Sequence, residues 1–451
     1  MSNEREQWGS KFGFVMAAAG SAVGLGNIWK FPYLAGVNGG AAFVVVYLLI
    51  VLFIGFTVML AELAIGRASR KNAVGSFAVL SRNPLWQIVG WAGVICGFVI
   101  LSYYGVVGGW AIKYMVASFT DLIPVAETGG AGGYLDAFFK DVPQVIMYQV
   151  IFMGLTILIV AGGIGEGIER ACKVMMPALF VILLILIVRS VTLPGAEKGI
   201  EYYLKPDFSK INAMMILTAL GQVFFSLSLG MGCMITYGSY FRKEENLANS
   251  ALLIVSMDTA IAFLAGLAIF PAVFALGGEP AAGPGLTFVT LPGVFAKMAA
   301  GTFFSFAFFL LLFFAAITSA ISLLEVVVAY FKDELGWGRV VASWLMGLLI
   351  TALGVPSAMA VGTGKPEIFG LDFESAMEFL SDKILMPLGG IFIALFAGWM
   401  MVDKIEKEVT SDGLHRVGYY TAWLWLARVI APIAMAIIFI QGLGLLDKFF
   451  E

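Results

Sequence analysis

The sequence has little charge and almost no histidine. Only 13% of its 451 residues are Asp, Glu, Lys or Arg, whereas 60% are hydrophobic, and the mean hydropathy is +0.94. A soluble domain carries about 25% charged residues, and a globule of this size could not hide so much apolar surface from water. Disorder is excluded as well, because disordered chains are polar and highly charged. Lipid must therefore be the solvent for much of the chain.

The shortage of reactive and metal-binding side chains excludes further functions. The one histidine, His415, lies in a polar loop, so no histidine-based metal site can be built. Cys96, Cys172 and Cys233 lie in apolar stretches without metal-ligand spacing and are expected to be free thiols. A net charge of −3 argues against nucleic acid as a partner. The sequence contains no Walker loop, so ATP is not expected to drive the function.

Long apolar stretches predict an all-α polytopic membrane protein. A spanning helix needs about 20 mostly apolar residues. Such segments must be helices, since backbone polar groups in lipid are satisfied within the segment, and their continuous apolar runs exclude a barrel. Eleven stretches qualify as helices 1 to 11, at about 12–36, 41–66, 87–118, 144–162, 168–190, 212–240, 247–276, 298–331, 338–356, 376–402 and 417–446.

The distribution of Lys and Arg predicts the orientation. With the N-terminus in the cytoplasm, the larger share of these residues falls in cytoplasmic loops, as the positive-inside rule expects. Arg67, Arg70, Lys71 and Arg339 are among them. Because the number of helices is odd, the C-terminus is then expected outside.

Two of the predicted helices are interrupted near mid-span by glycine-rich polar patches, at 20–27 in helix 1 and at 226–232 in helix 6. Glycine costs about 1 kcal/mol in a helix interior, and unwound backbone at membrane depth is tolerated only where it lines a protein cavity. Matched interruptions in helices 1–5 and 6–10 indicate the binding site of an inverted-repeat transporter. A glycine packing seam is the alternative.

The residues around both breaks resemble those of neurotransmitter:sodium symporters. Residues 20–33 read Gly-Ser-Ala-Val-Gly-Leu-Gly-Asn-Ile-Trp-Lys-Phe-Pro-Tyr, Asn-Gly-Gly follows at 38–40, and Ile-Thr-Tyr-Gly-Ser-Tyr occupies 235–240. Eleven helices resemble the bacterial subgroup that takes up hydrophobic and aromatic amino acids. The resemblance implies one transporter domain over 1–451, with inverted repeats at 12–190 (helices 1–5) and 212–402 (helices 6–10), and helix 11 at 417–446.

The resemblance also implies a function. It predicts a sodium-coupled symporter, not an enzyme, in the bacterial inner membrane, which takes up large aliphatic and aromatic L-amino acids by alternating access. The residues leave three alternatives open, namely a channel, a membrane enzyme that uses carboxylate chemistry, and a sensor that binds an amino acid without transporting it. A channel would need a continuous polar path, whereas both breaks converge on one site.

The implied substrate site lies at the two breaks. Amides around Gly24 and Gly26 are implied to hold the carboxylate, with Tyr104 donating, since half-helix N-termini suit an anion. Amine-carrying relatives have aspartate at position 24, so glycine favours an amino acid. Met231 is flexible and predicts a roomy pocket, with ordinary core filling as the alternative. The implied substrate-binding residues are Ala22, Gly24, Gly26, Ile100, Tyr104, Phe225, Ser226, Ser228, Met231, Ala320 and Leu323.

The resemblance implies two sodium sites built from oxygen ligands, which a hard cation prefers. The first uses Ala22, Asn27, Ser226 and Asp258 together with the substrate carboxylate, so that each ligand helps the other to bind. The second uses Gly20, Val23, Ala315, Thr318 and Ser319. The alternative for the two hydroxyls is a bond back to their own helix.

Asp258 departs from the family pattern, in which asparagine is common. Chloride-dependent relatives hold an anion near positions that match Tyr47, Gln222, Ser226 and a serine, which is Ala262 here. A missing hydroxyl and a fixed negative charge would disfavour an anion, so chloride-independent transport is expected. A buried carboxylate that loses its sodium is also a candidate for protonation on the return step, which would give proton counter-transport.

Two gates and a hinge complete the implied machinery. The outer gate is Lys30 with Asp382, covered by Tyr104 and Phe225, and lysine makes it weaker than the arginine of many relatives. The inner gate comprises Arg5, Trp8, Ser239, Tyr240 and Asp333. Gly167 and Pro177 match a hinge in helix 5. Unrelated surface charges are the alternative for the gates, and Glu62 and Glu325 are expected to anchor helices 2 and 8 by hydrogen bonds.

Overall fold

The computed structural model describes residues 6–278, 280, 285–362, 365–415 and 417–445. Within these ranges, nine continuous helices are long and apolar enough to cross a membrane. They are helix 2 (Ala41–Ser69), helix 3 (Pro84–Ala117), helix 4 (Val142–Ala161), helix 5 (Ile164–Val191), helix 7 (Leu247–Ala275), helix 8 (Gly301–Leu335), helix 9 (Arg339–Ala360), helix 10 (Phe373–Met400) and helix 11 (Tyr420–Gly442).

Helices 1 and 6 are broken, as the glycine-rich patches predict. Helix 1 consists of Lys11–Ala22 and Gly26–Val37, whose axes differ by 52°. Helix 6 consists of Ala213–Ser226 and Cys233–Gly238. When the two halves of helix 1 count as one span, the described part of the chain contains ten spans that are long and apolar enough to cross a membrane, and the two short helices of helix 6 lie at the position of the eleventh predicted span.

Short elements connect the spans. The short helices are Ala73–Leu80, Leu122–Glu127, Ala131–Lys140, Glu197–Leu204, Phe208–Lys210, Leu286–Thr290, Leu291–Ala296 and Val402–Thr410. Among the described residues, the strands are Glu367–Ile368 and Leu371–Asp372, which pair antiparallel with Glu367 opposite Asp372. They precede helix 10.

Helix 8 lies at the centre of the bundle and helix 11 at its edge. Within the most apolar part of each span, 83% of helix 8 is buried inside the protein, against 28% of helix 11. Helix 8 packs along helix 3, and both approach the break in helix 1. The centre of the bundle therefore supplies the walls of the site.

Several spans contain a π-helical turn, a widened turn that is often found at functional sites. These turns include Gly26–Lys30 in helix 1, Val51–Gly55 in helix 2, Ile164–Glu169 in helix 5, Phe379–Leu385 and Phe396–Met400 in helix 10, and Leu426–Ile430 in helix 11. The sequence did not predict them, because a π turn changes the backbone bonding and leaves the apolar pattern almost intact.

Candidate functional site

The break in helix 6 is fixed by backbone conformations that few residues adopt. Ser228 has a φ of +53°, and Gly230 and Gly232 have φ values of +78° and +77°. A left-handed serine is uncommon and marks a position that its surroundings constrain. A Cβ on Gly230 would lie 2.4 Å from the carbonyl oxygen of Met386, so position 230 accepts only glycine.

Glu62 of helix 2 holds this break in place. Its side chain is fully buried, and its Oε1 accepts a 2.7 Å hydrogen bond from the amide of Gly230. The bond satisfies a backbone donor that the broken helix leaves without a partner in its own turn. Glu62 is thus the hydrogen-bonding anchor that the sequence predicts, and it acts on helix 6.

A narrow cavity lies between the two breaks, with about 320 Å³ of empty space when its open side is counted. Every predicted substrate-binding residue lines this cavity except Ala320, which is buried elsewhere. The lining also includes two serines that were not predicted as substrate-binding residues, Ser21 and Ser319. Ser21 lies within the glycine-rich motif of helix 1, and its position there is a signal that could have identified it. The lining residues are Ser21, Ala22, Gly24, Gly26, Ile100, Tyr104, Phe225, Ser226, Ser228, Met231, Ser319 and Leu323.

Close approach at Gly24 shapes one end of the cavity. A Cβ there would lie 2.5 Å from Ser319 Oγ and 2.9 Å from Tyr104 Oη. The neighbouring amide of Leu25 donates to Tyr104 Oη at 3.1 Å. Position 24 therefore has no room for a side chain while Ser319 and Tyr104 keep their places.

Three of the four predicted ligands of the first sodium site, Asn27, Ser226 and Asp258, form one buried cluster, and Ala22 lines the adjacent cavity. The carboxylate accepts hydrogen bonds from Asn27 Nδ2 at 2.7 Å, from Ser226 Oγ at 3.0 Å and from Tyr47 Oη at 3.5 Å. Asn27 Oδ1 accepts a 3.0 Å bond from the amide of Gly24. Helices 1, 2, 6 and 7 thus meet at one carboxylate.

The remaining members of the predicted anion position lie beside this cluster. Gln222 Nε2 donates to the carbonyl of Gly26 at 2.8 Å, and Ala262 is fully buried on helix 7. The hydroxyls of Tyr47 and Ser226 already contact Asp258. The two hydroxyl groups that an anion would need as donors therefore already donate hydrogen bonds to the Asp258 carboxylate.

The second group of predicted sodium ligands gathers where helix 8 meets the end of the first half of helix 1. Ser319 Oγ lies 3.4 Å from the carbonyl oxygens of Gly20 and Val23. Thr318 donates its hydroxyl hydrogen to the carbonyl of Phe314 at 2.9 Å, which is the predicted alternative of a bond back to its own helix. Such a bond leaves the hydroxyl lone pairs available to a cation, so the geometry is compatible with both roles.

The outer gate residues lie together above the cavity. Lys30 Nζ is 3.5 Å from Asp382 Oδ2 and 4.2 Å from the centre of the Phe225 ring. Phe225 and Tyr104 line both the central cavity and a second cavity outside it, which has about 740 Å³ of empty space when its open side is counted. The two side chains therefore form the boundary between the cavities. Tyr103, which the sequence did not predict, donates to Asp382 at 3.3 Å.

Of the described residues of the predicted inner gate, Trp8 and Tyr240 are in contact with each other. The indole nitrogen of Trp8 donates to the carbonyl of Tyr237 at 3.1 Å, and its amide donates to the carbonyl of Tyr240 at 3.2 Å. Ser239 is buried in the same segment. Asp333 accepts a 3.0 Å bond from the amide of Asn72. Arg5 lies outside the described residues, so its predicted place in this gate stays a prediction.

Comparison with known proteins decides the family, because the model of the sodium:neurotransmitter symporter family matches residues 5–131 and 135–448. The chain belongs to this family. It is 40% identical over 444 residues to the uncharacterized sodium-dependent transporter YhdH of Bacillus subtilis (strain 168), with 98% of each chain covered. It is 32% identical over 377 residues to the sodium-dependent serotonin transporter of Drosophila melanogaster, covering 73% of this chain and 60% of that one.

A solved structure shows the same fold. The crystal structure of MhsT in complex with L-phenylalanine has a TM-score of 0.89 and 44% sequence identity to this chain, covering 97% of it and all of the MhsT chain. Together with the family match, this establishes an all-α, sodium-dependent membrane transporter that is not an enzyme. The predicted fold class is therefore confirmed.

The two residues of the predicted hinge in helix 5 both lie in helical segments. Gly167 lies in the π turn Ile164–Glu169, and Pro177 lies within the following α-helix. A Cβ on Gly167 would lie 2.1 Å from the carbonyl oxygen of Ile159, so close packing already requires glycine at this position. Bending at Gly167 and Pro177 stays a prediction.

Glu169 is a buried carboxylate that the sequence did not single out. It accepts hydrogen bonds from the amide of Gly9 at 2.7 Å and from Ser10 Oγ at 3.1 Å, and it pairs with Lys173 at 2.5 Å. It thereby ties the start of helix 1 to the π turn of helix 5. No local pattern could reveal its link to helix 1, because Gly9 and Ser10 lie 160 and 159 positions from it in the sequence.

A second unpredicted network joins the N-terminal segment to helices 8 and 9. Glu6 pairs with Lys332 at 2.6 Å and with Arg339 at 2.8 Å. Arg339 also pairs with Glu325 at 2.6 Å, and Glu325 accepts a 2.7 Å bond from Tyr240 Oη. Burial raises the pKa of Glu6, but Arg339 and Lys332 outweigh it and hold that pKa below its ordinary value. Glu325 thus anchors helix 8, as expected.

Proposed function

We propose that this symporter takes up hydrophobic L-amino acids, large aliphatic and aromatic ones in particular, coupled to sodium. The observation that carries the proposal is the cavity between the breaks, which has backbone groups of Gly24 and Gly26 at one end and the side chains of Ile100, Met231 and Leu323 elsewhere. This pairing suits a molecule with a charged backbone and an apolar side chain. The related MhsT structure holds L-phenylalanine.

The two halves of helix 1 suit the two charges of an amino acid. The second half begins at Gly26, where the helix dipole gives a partial positive charge that attracts a carboxylate. The first half ends at Ala22, where carbonyl oxygens give a partial negative charge that attracts the ammonium and sodium. No side chain fits at Gly24, so the protein supplies no carboxylate at this position. The substrate must then bring its own carboxylate, which favours an amino acid over an amine.

Sodium would couple to the substrate through two sites. The cluster of Asn27, Ser226 and Asp258 with the carbonyl of Ala22 would hold one ion next to the substrate carboxylate. The carbonyls of Gly20, Val23 and Ala315 with Thr318 and Ser319 would hold the second. A ligand shared between ion and substrate makes each bind more tightly when the other is present.

Asp258 supports transport that needs no chloride. Its carboxylate already takes the hydroxyl donors of Tyr47 and Ser226, and a second negative charge beside it would be repelled. On the return step the carboxylate, without sodium, is the group that would carry a proton back. Proton counter-transport then follows from the same residue.

Alternating access would operate between the outer gate at Lys30 and the inner gate around Trp8. We place the protein in the bacterial inner membrane with the N-terminus in the cytoplasm. The Lys and Arg distribution supports this orientation. The contacts of Trp8 and the 3.5 Å pair of Lys30 with Asp382 give each side of the cavity a closing contact.

Uptake by proteoliposomes tests the proposal. Labelled L-phenylalanine and L-leucine should accumulate only with an inward sodium gradient, and gluconate in place of chloride should leave the rate unchanged. Gly24→Ala should abolish uptake, because its Cβ would meet Ser319 and Tyr104. Gly154→Ala is the matched control, since open space surrounds that position. Sodium-dependent binding without accumulation would instead show a sensor, and uptake without sodium would contradict the proposal.

A further inference from the structure

An apolar groove lies on the outer surface between helix 3 and helix 10, away from the central cavity. It encloses about 1070 Å³ of empty space, counting its open side. Ala92, Leu388 and Phe392 are among the residues that line it. The exposed fractions of Ile88 and Phe392, which are 63% and 42%, place its rim on the surface of the bundle.

The groove runs from one end of helix 3 into the span. Its lining begins at Asn83, directly before the helix starts at Pro84, and continues to Ala92. At that depth the neighbours of an exposed side chain are lipid acyl chains. A concave apolar surface along two helices can enclose one chain lengthwise, whereas a flat helix face cannot.

One end of the groove is polar and has a cationic residue beside it in the sequence. Asn83 and Trp86 line this end, and the Trp86 indole packs against Phe392 with ring centres 6.3 Å apart. Arg82, which directly precedes Asn83, is exposed. Trp at a membrane boundary places an apolar ring beside a polar surface. Basic residues at the cytoplasmic surface attract anionic lipid headgroups. This end and the rest of the groove thus match the two parts of an anionic phospholipid.

The bottom of the groove packs directly against the break in helix 6. Gly389 lines the groove, and a Cβ on it would lie 2.4 Å from the carbonyl oxygen of Gly230 in the break of helix 6. One layer of backbone therefore separates the groove from the break. An occupant of the groove would sit directly behind the substrate site.

We propose that this groove is a binding site for one anionic phospholipid of the cytoplasmic leaflet. An acyl chain lies against Ala92, Leu388 and Phe392, and the phosphate lies at Arg82. The site needs the orientation given above but not the proposed substrate, so its test is independent of transport.

Native mass spectrometry of protein extracted from vesicles with equal phosphatidylglycerol and phosphatidylcholine tests the site. The unsubstituted protein should retain one phosphatidylglycerol in preference to phosphatidylcholine. Ala92→Phe fills the groove and should lower that retention at least fivefold. Ile95→Phe is the matched control, because Ile95 is 45% exposed on the same helix and does not line the groove. Ile88→Trp, on the exposed rim, should act like Ala92→Phe and provides a second variant if the first folds poorly.

The headgroup is tested separately. Arg82→Gln should remove the preference for phosphatidylglycerol, whereas Arg170→Gln, at a guanidinium with 78% exposure on helix 5, should leave it unchanged. Equal retention by Ala92→Phe and Ile95→Phe would show ordinary boundary lipid and overturn the proposal. Retention without a preference between the two headgroups in the unsubstituted protein would overturn the anionic assignment.

Discussion

At the residue scale, the single carboxylate of Asp258 connects several helices by hydrogen bonds. It joins helices 1, 2, 6 and 7 through Asn27, Tyr47 and Ser226, all in the part of the protein that water reaches least. A buried charge is stable only when it is paired or hydrogen-bonded. The same carboxylate therefore holds together the elements around the breaks, and it is the negative charge that we propose for the first sodium site.

Replacing Asp258 with asparagine tests the charge rather than the shape. Asp258→Asn should lower sodium-driven uptake at least tenfold, because one charge-assisted interaction is worth about 1.5–3 kcal/mol. Adding Ala262→Ser restores the missing hydroxyl, and the double variant should recover uptake in chloride but not in gluconate. Uptake rates of both variants in chloride buffer and in gluconate buffer test this prediction. Unchanged uptake by Asp258→Asn without any chloride requirement would contradict the compensation.

At the element scale, helix 5 is connected to the N-terminal segment by Glu169. The π turn that carries this carboxylate also carries Gly167, so its winding and the position of Gly9 and Ser10 are linked. With the N-terminus in the cytoplasm, as we propose, opening of the protein on that side is expected to break these bonds. Glu166, in the same turn, is exposed and bonds only to the equally exposed Arg170 among its described contacts, at 3.5 Å.

The two glutamates form a matched pair of variants. Glu169→Gln should release the start of helix 1, because an amide is a weaker acceptor than a carboxylate for two donors and a lysine. The labelling rate of Cys172, which is fully buried one turn further along the helix, should rise several-fold. Glu166→Gln should leave that rate unchanged. If both variants label alike, the link between the two segments is wrong.

Pro177 gives a second prediction for the same helix. A proline within a helix removes a backbone hydrogen bond and weakens the preceding turn. Pro177→Ala should therefore stiffen helix 5 and slow the release of sodium to the cytoplasmic side several-fold, as measured by stopped-flow with a sodium indicator in proteoliposomes. An unchanged release rate would remove Pro177 from the hinge.

At the scale of the whole molecule, ion pairs connect the N-terminal segment to helices 8 and 9. We expect these pairs to stabilise the closed arrangement on the side of the protein where the N-terminal segment lies. Because the pKa of Glu6 is lowered in the folded protein, its ion pairs are complete above the ordinary glutamate value of 4.5 and are lost as the pH falls through the lower, folded value. The closed arrangement should thus not change between neutral pH and about pH 5.

A spin label on Gln7→Cys measures this directly, since Gln7 is exposed beside Glu6. Its mobility should stay constant from neutral pH down to about pH 5 and rise only below the glutamate value of 4.5. In a Glu6→Gln background the label should be mobile at every pH. A transition centred near neutral pH would assign the change to another group.

The sequence predicted those parts of the fold and site that are local in the chain. The broken helices followed from glycines grouped within a few residues, and Gly24, Tyr104 and Asp258 followed from a family resemblance. Glu169 and the network around Glu6 did not follow, because they join segments that are distant in the sequence. Ser21 could have been predicted from its place in the glycine-rich motif of helix 1, and the structure shows that its hydroxyl also donates to Ser322 at 2.7 Å.

The crowding at Gly24 also limits how this transporter could evolve. An aspartate there, as in amine-carrying relatives, would begin with a Cβ 2.5 Å from Ser319 Oγ and 2.9 Å from Tyr104 Oη. A substitution of Gly24 by aspartate should therefore require Ser319 or Tyr104 to move aside. A change at position 319 or 104 that makes room is expected to accompany it, so the crowding around one glycine constrains the order of mutations.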